Sequence, residues 1–290
     1  MNNESPLSSV RLSNPVDPSI VPLLRLLDPI SRSAGCEYFV AGATARDLVL
    51  VNVYGLRPGR ATRDIDFGIA VESWDRFKLL KERLMETREF AAQRAQQRLI
   101  YTDRIMGFSM PVDLIPFRGI ASFDGTFAWP PDRDVVMNVA GFEEALASSI
   151  LLEVEEKLRV RVASTPGLAL LKLIAWADRG RVNNKDAADL YRMLTTYADA
   201  GNIDRLYDQE EDLLQSVGFD MASAGAELLG RDVSAICGAQ LFNQIQSIVT
   251  SELNRERMIS QIIEAVMYVE AADAVERTLD GFCRGLLRVA

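Results

Sequence analysis

Two aspartates one residue apart, Asp64 and Asp66, sit in the run Arg63-Asp64-Ile65-Asp66-Phe67-Gly68. In an extended chain both carboxylates project to one face, while Ile65 and Phe67 turn into the core. Like charges held that close repel each other. A hard divalent cation, Mg²⁺ or Mn²⁺, removes the repulsion by taking oxygen ligands from both. Plain solvation at an exposed strand end is the other way to remove it. A third acid, Asp113, lies inside the apolar run Val112-Asp113-Leu114-Ile115-Pro116-Phe117, where a lone carboxylate needs a partner. If that run lies beside the Asp64 strand, three carboxylates converge on one or two metal ions. Such a set suits in-line displacement at a nucleotide's α-phosphorus, with expulsion of pyrophosphate.

Upstream, Phe39-Val40-Ala41-Gly42-Ala43-Thr44-Ala45-Arg46-Asp47 reads as a strand passing through Gly42 into a helix. A glycine there lets a phosphate approach the backbone and meet helix N–H groups. Thr44 adds a hydroxyl, for the phosphate or for its own helix. Downstream, Lys172 sits among Leu168, Leu170, Leu171, Leu173, Ile174 and Trp176, which leave almost no polar face on that helix. A buried ammonium needs an anion, either a phosphate or a nearby aspartate; snorkelling to the helix edge is the alternative. On the next helix Ala187, Leu190, Tyr191 and Leu194 form the predicted core stripe. Lys185, Asp189 and Arg192 fall opposite, as surface ion pairs, with Asp186 flanking the stripe.

The 290 residues contain no histidine, which excludes Ser-His-Asp and Cys-His catalysis and histidine-ligated zinc. The three cysteines, Cys36, Cys237 and Cys283, are far apart and in no metal-ligand spacing. They fit packing roles in a reducing, cytoplasmic compartment. No secretory signal pattern is read at the start, and the longest apolar window, residues 168–177, is too short and too charged for a bilayer. The net charge of −9 falls mostly on the last 90 residues, which carry seven arginines, no lysine and fifteen acids. That region makes a poor general surface for nucleic acid. Arg57, Arg60, Arg63, Arg94 and Arg98 could line a local basic groove in the first part, or simply face solvent.

The elements that must hold these residues are predicted as follows. Residues 1–18 form a loose arm and residues 20–34 a helix. A buried strand at 38–41 is followed by a helix at 44–53, a loop at 54–63 and a strand at 64–71. Ser73 caps a helix to about Thr87. Residues 99–102 and 110–117 are strands, and 119–134 is an ordered loop. The aromatics of that loop, Phe123, Phe127 and Trp129, either stack on a base or pack on their own domain. Short strands at 149–154 and 158–163 precede helices at 165–179 and 183–197. Everything after Ile203 is helical. This is an α/β (α+β) domain at 19–163 followed by an all-helical one at 164–290.

Gly42 opening a helix, then Asp64-x-Asp66, then Asp113 resembles the nucleotidyltransferase core shared by DNA polymerase β and the CCA-adding enzymes. Gly42-Ala43-Thr44-Ala45-Arg46-Asp47-Leu48 is similar to the Gly-Gly-x-x-Arg-Asp stretch of the latter. The runs Leu170 to Arg179 and Asn184-Lys185-Asp186-Ala187-Ala188-Asp189-Leu190 resemble the AbiEii group of nucleotidyltransferases, where a lysine helix and an acid-bearing helix follow the core. The resemblance covers about residues 36–198. It implies a mixed-sheet polymerase β-like core, with Asp64, Asp66 and Asp113 as catalytic metal ligands. Gly42, Ala43, Thr44 and Arg46 would hold the triphosphate, and Lys172, Lys185, Asp186 and Asp189 would line the nucleotide side. The implied activity transfers NMP from an NTP to an acceptor hydroxyl, with RNA or tRNA as acceptor. The chain would then be a toxin of a toxin–antitoxin or phage-defence pair, with an antitoxin as partner. Two departures stand out: Gly42-Ala43 replaces Gly-Gly or Gly-Ser, and the gap from Gly42 to Asp64 is longer than usual. The rivals are a small-molecule (antibiotic) nucleotidyltransferase and a non-catalytic nucleotide-binding protein of the same fold.

Overall fold

The computed structural model describes residues 10–60, 62–180, 183–266 and 272–288. The chain divides into two compact units, residues 1–164 and 165–290.

The first unit is built on a seven-stranded mixed sheet. Its strands are β1 (Glu37–Ala41), β2 (Ile65–Val71), β3 (Phe90–Ala92), β4 (Arg98–Asp103), β5 (Phe108–Arg118), β8 (Ile150–Glu155) and β9 (Leu158–Val162), in the order β3-β4-β5-β2-β1-β9-β8. The remaining two, β6 (Thr126–Ala128) and β7 (Val136–Asn138), pair with each other in a separate ribbon. β1 runs antiparallel to β2, β2 parallel to β5, and β4 antiparallel to β5. The central strands are apolar on both faces, with Phe39, Phe67, Leu114 and Phe117 fully buried. That near-continuous burial is expected of a parallel pair covered on both sides. Helix α1 (Ile20–Ser33) buries Leu23, Leu24 and Leu27, and α3 (Trp74–Glu86) buries Phe77, Leu80 and Leu84. Ser73 caps α3 as its sequence predicts, its hydroxyl accepting from the Arg76 N–H at 3.4 Å.

Three departures from the sequence reading have local physical causes. The helix expected from residue 44 begins at Gly42 as α2 (Gly42–Asp47) and continues without a break into a π-helical stretch, Leu48–Val53. The predicted loop over 119–134 contains β6, whose partner β7 lies just beyond it. Phe127 and Trp129 of that segment pack edge-on against Trp74 and each other, at ring-centroid separations of 5.1–5.4 Å, so they face their own unit. Only Phe123 of the three is exposed. Finally, the described part of the expected loose arm is tied down. Val10 bridges to Leu152, Val16 is buried, and the N–H groups of Ser13 and Asn14 donate to the Asn52 carbonyl at 2.6 and 2.9 Å. Residues 1–9 lie outside the described residues.

The second unit is helical throughout its described residues. Helix α5 (Thr165–Arg179) and helix α6 (Lys185–Thr196) lie side by side, followed by α7 (Ile203–Asp208) and α8 (Glu211–Ser216). The longer helices α9 (Met221–Ile236), α10 (Ala239–Val249), α11 (Glu252–Val266) and α12 (Ala272–Leu287) complete the unit. Its core contains Leu170, Leu173, Trp176, Leu190, Met193, Leu229 and Phe282.

Candidate active site

Strand register does most of the assembly. Ala41 of β1 pairs with Asp66 of β2, Asp66 pairs with Asp113 of β5, and Asp113 pairs with Arg98 of β4. One row therefore crosses four strands as Ala41, Asp66, Asp113, Arg98, and residues in register share a face of the sheet. Asp64 stands two residues before Asp66, just ahead of β2. The three aspartates named from the sequence are thus brought to one place.

A fourth charged group shares that place. The Arg98 guanidinium donates from Nε to Asp113 Oδ1 at 2.7 Å and from Nη2 to Asp113 Oδ2 at 2.6 Å. The same Nη2 lies 3.5 Å from Asp64 Oδ2. The hydrogen bonds to Asp113 hold the Arg98 pKa well above its ordinary value, and the charges of Asp113, Asp64 and Asp66 push the same way. The Asp113 side chain is 11% exposed and that of Arg98 37%, so the acid is covered while the arginine side chain reaches solvent. The Thr62 hydroxyl donates to Asp64 Oδ1.

Gly42 explains how Asp66 fits. Its φ is +64°, and a Cβ built there would stand 2.0 Å from Asp66 Oδ2. Only glycine meets both conditions, the left-handed backbone and the close carboxylate. The sequence reading assigned this glycine to a phosphate; in the structure it clears room for Asp66. Thr44 is buried, and its hydroxyl donates to the Asp64 carbonyl at 3.4 Å, tying α2 to the approach of β2. Ala43 is buried as well.

Arg46, named from the sequence for the nucleotide, is packed inside the first unit. Arg46 is 2% exposed, with Nε on Asp47 Oδ1 at 2.9 Å and Nη2 on the Arg60 carbonyl at 3.1 Å. Its charge is satisfied inside the unit, where it fastens the 54–60 segment to α2. That segment borders a cavity of about 550 Å³ beside Asp64, reached by Thr44, Asp47, Asn52, Thr62 and Arg63 from one side and by residues 15–20 from the other.

The residues carried by α5 and α6 form a separate cluster within the second unit. Lys172 Nζ lies 2.9 Å from Asp186 Oδ1 and 2.7 Å from Asp189 Oδ2, and Arg179 Nε donates to Asp186 Oδ2 at 2.8 Å. The side chains of Lys172, Asp186 and Asp189 are 15%, 4% and 6% exposed. Burial alone would lower the Lys172 pKa, but Asp189 and Asp186 outweigh it and the net shift is upward. Burial likewise works against the Asp186 anion, and Arg179 and Lys172 reverse it to a net downward shift. The anion that the buried lysine requires is therefore supplied by the protein. Asp189, expected on the outer face with Lys185 and Arg192, is instead on the buried one. The true stripe is Asp186, Ala187, Asp189, Leu190, Met193 and Leu194, and Tyr191 is only half-buried. Helical periodicity places a face; the charge on Lys172 decides that acids can occupy it. Lys185 stays exposed on the first turn of α6.

Thr62 is a site residue that sequence reasoning missed, and Arg98 was read only as one of five arginines lining a basic groove or facing solvent. The signal for Arg98 was a charge at the head of an alternating strand, indistinguishable from a solvated edge until its register with Asp113 is known.

With this geometry in view, the family comparison is decisive: the model described as "Nucleotidyl transferase AbiEii toxin, Type IV TA system" matches residues 25–273. The chain belongs to the AbiEii family. It is a nucleotidyltransferase, and its first unit carries the mixed-sheet core of that enzyme class. No curated protein sequence matches it. Solved structures similar to this AbiEii chain include an antigenic nucleotidyltransferase-like protein from Paracoccidioides brasiliensis. That protein is 17% identical, with 74% of this chain and 94% of that one covered and a TM-score of 0.40. The antibiotic-resistance factor ANT(2″)-Ia is 14% identical over 70% of this chain and 98% of its own, with a TM-score of 0.37. A Thermotoga maritima CCA-adding enzyme complexed with tRNA is 14% identical over 94% and 80%, with a TM-score of 0.26. No described helix is long and apolar enough to cross a membrane.

The fold class implies a divalent ion, for which Asp64, Asp66 and Asp113 are the available donors. Among the described residues, no three acidic or cysteine side chains are gathered closely enough to hold a metal as they stand. The chemistry nonetheless fits. Three carboxylates supply hard oxygen donors at adjacent register, and a cation, the Arg98 guanidinium, already sits between two of them.

Proposed function

We propose that this AbiEii chain is a divalent-metal-dependent nucleotidyltransferase that moves NMP from an NTP to an acceptor hydroxyl on RNA, with a tRNA 3′ end as the leading candidate. The observation that carries the reading is the register that stacks Asp66 beside Asp113, with Asp64 two residues away and a cavity opening beside it. In the proposed reaction the acceptor oxygen forms a bond to the α-phosphorus, and the bond from that phosphorus to the bridging oxygen breaks. Pyrophosphate leaves with the electron pair. Mg²⁺ or Mn²⁺, held by Asp64, Asp66 and Asp113, would supply charge neutralisation for the phosphates. Asp113, the most covered of the three acids, is the acceptor for the attacking hydroxyl's proton once Arg98 has released its oxygens. Asp64, hydrogen-bonded by Thr62, faces the cavity. At about 550 Å³ that cavity is in the size range of sites that bind a nucleoside or a compact acceptor. The reading includes a toxin role and an antitoxin partner, supported by the family description, and a cytoplasmic location, supported by the reduced-cysteine reading.

One observation favours a second reading, transfer to a cationic small molecule. The cavity is bordered by Asp17, Asp47 and Asp64 against the single arginine Arg63, a balance that suits an amino-bearing acceptor better than a phosphate backbone. The two readings separate in one experiment. The protein is incubated with each of the four α-³²P-labelled NTPs, Mg²⁺, and either total tRNA or a panel of aminoglycosides. Label appearing in tRNA supports the RNA reading; label only in the drug fraction replaces it.

A further inference from the structure

We infer that Arg98 is a built-in placeholder cation: it occupies the carboxylates of Asp113 and Asp64 before the divalent ion arrives, and it must turn away for that ion to bind. The inference rests on the reading of Asp64, Asp66 and Asp113 as the metal-holding set, and adds to it a residue that competes for the same ligands.

Three observations carry it. First, both oxygens of Asp113 are taken by the Arg98 fork, at 2.7 and 2.6 Å, so the lone pairs a hard cation would use are already engaged. Second, Arg98 spans two acids, since the nitrogen on Asp113 also lies 3.5 Å from Asp64. Third, the sheet register joins the acids, yet among the described residues no three acidic side chains are gathered closely enough to hold a metal as they stand. An arginine seated among them accounts for both facts.

The arrangement has a physical purpose. Three carboxylates packed on one sheet face would repel one another without a counter-charge. Arg98 supplies that charge until the divalent ion takes its place. Its side chain is 37% exposed, which leaves the guanidinium an outlet to water when a divalent ion displaces it. Arginine suits the role better than lysine, because the planar fork engages both oxygens of one carboxylate at once and an ammonium does not.

The test compares Mn²⁺ binding, read by electron paramagnetic resonance of free Mn²⁺, for wild type, R98K and R98Q, each with and without D66N. Thermal melting with and without Mn²⁺ runs in parallel. The expected result is that R98Q binds Mn²⁺ about tenfold or more tightly than wild type, with R98K between them, and that D66N removes this binding in all three. R98Q should also melt earlier than wild type without Mn²⁺ and gain more from its addition. If R98Q binds Mn²⁺ no more tightly than wild type while D66N still abolishes binding, the placeholder is wrong and the acid site stands. If no protein shows D66N-sensitive Mn²⁺ binding, the metal-site reading itself fails and takes the placeholder with it. Should R98Q fail to fold, R98K alone decides: equal or weaker Mn²⁺ affinity than wild type overturns the inference.

Discussion

Two charged clusters, one in each unit, are made of nearly the same residues and do opposite things. In the first unit Asp64, Asp66 and Asp113 face Arg98, and Asp64 opens on a cavity. In the second, Asp186 and Asp189 face Lys172, and both acids are almost wholly covered. The first cluster has more acid than base and an outlet to solvent. The second is neutralised and enclosed, with Arg179 adding a further grip on Asp186. Charge alone does not mark a reactive site; an excess of one sign beside an opening does. A buried, balanced set serves the fold, because breaking it strands a charge away from water.

That contrast is open to attack by substitution, and the largest effect on stability should come from the enclosed cluster. K172M leaves Asp186 with Arg179 alone and removes the ammonium from Asp189. We expect a loss of about 3–5 kcal/mol in urea unfolding, the usual consequence of removing one partner of a buried ion pair. A loss below about 1 kcal/mol would place this cluster with surface pairs.

The pH dependence sharpens the same point. Asp186 has a folded pKa below its ordinary value, so its contribution is present above the usual carboxylate range and fades as pH falls through the depressed value. Lys172 has a raised pKa, so its contribution is present below the usual lysine range and is lost as pH rises through the raised value. Acid unfolding of D186N should therefore be shallower than that of wild type as pH falls from the usual carboxylate range through the depressed Asp186 value. Superimposable acid profiles would remove Asp186 from the account.

A smaller effect is expected at Gly42, which couples fold and site in the first unit. G42A puts a methyl group where Asp66 Oδ2 sits and imposes φ +64° on alanine. It should cost about 1–3 kcal/mol by the price of a strained backbone position and also depress transfer activity. Loss of stability with full activity would separate Gly42 from the acid row. Smallest of the set, S73A removes the α3 cap and should lower stability by about 1 kcal/mol with activity unchanged.

How much of this was legible in the chain follows from which forces are local. Asp64, Asp66 and Asp113 stood out because strand alternation and an acid in an apolar run are sequence-local signals, and register then joined them. Arg98 did not, because its role depends on the pairing of β4 with β5 through the turn at Gly107, whose φ is +73°. Asp189 was placed on the wrong face because a buried stripe containing acids looks polar until its lysine partner on another helix is known. Arg46 was named through the family resemblance alone, and its packing against Asp47 and the carbonyl of Arg60, 14 residues on, was not legible in the sequence. The helix boundaries at 165–179 were readable to the residue, since Thr165 and Pro166 mark the start chemically.

The central claim is that the acid row of the first unit performs nucleotidyl transfer. Its most direct test is transfer of label from α-³²P-NTP by wild type and by D66N, with folding of both checked by circular dichroism. The account predicts that D66N folds normally and loses at least about 100-fold in rate, as expected when a metal-holding group at a developing charge is neutralised. A folded D66N that transfers label at the wild-type rate would contradict it.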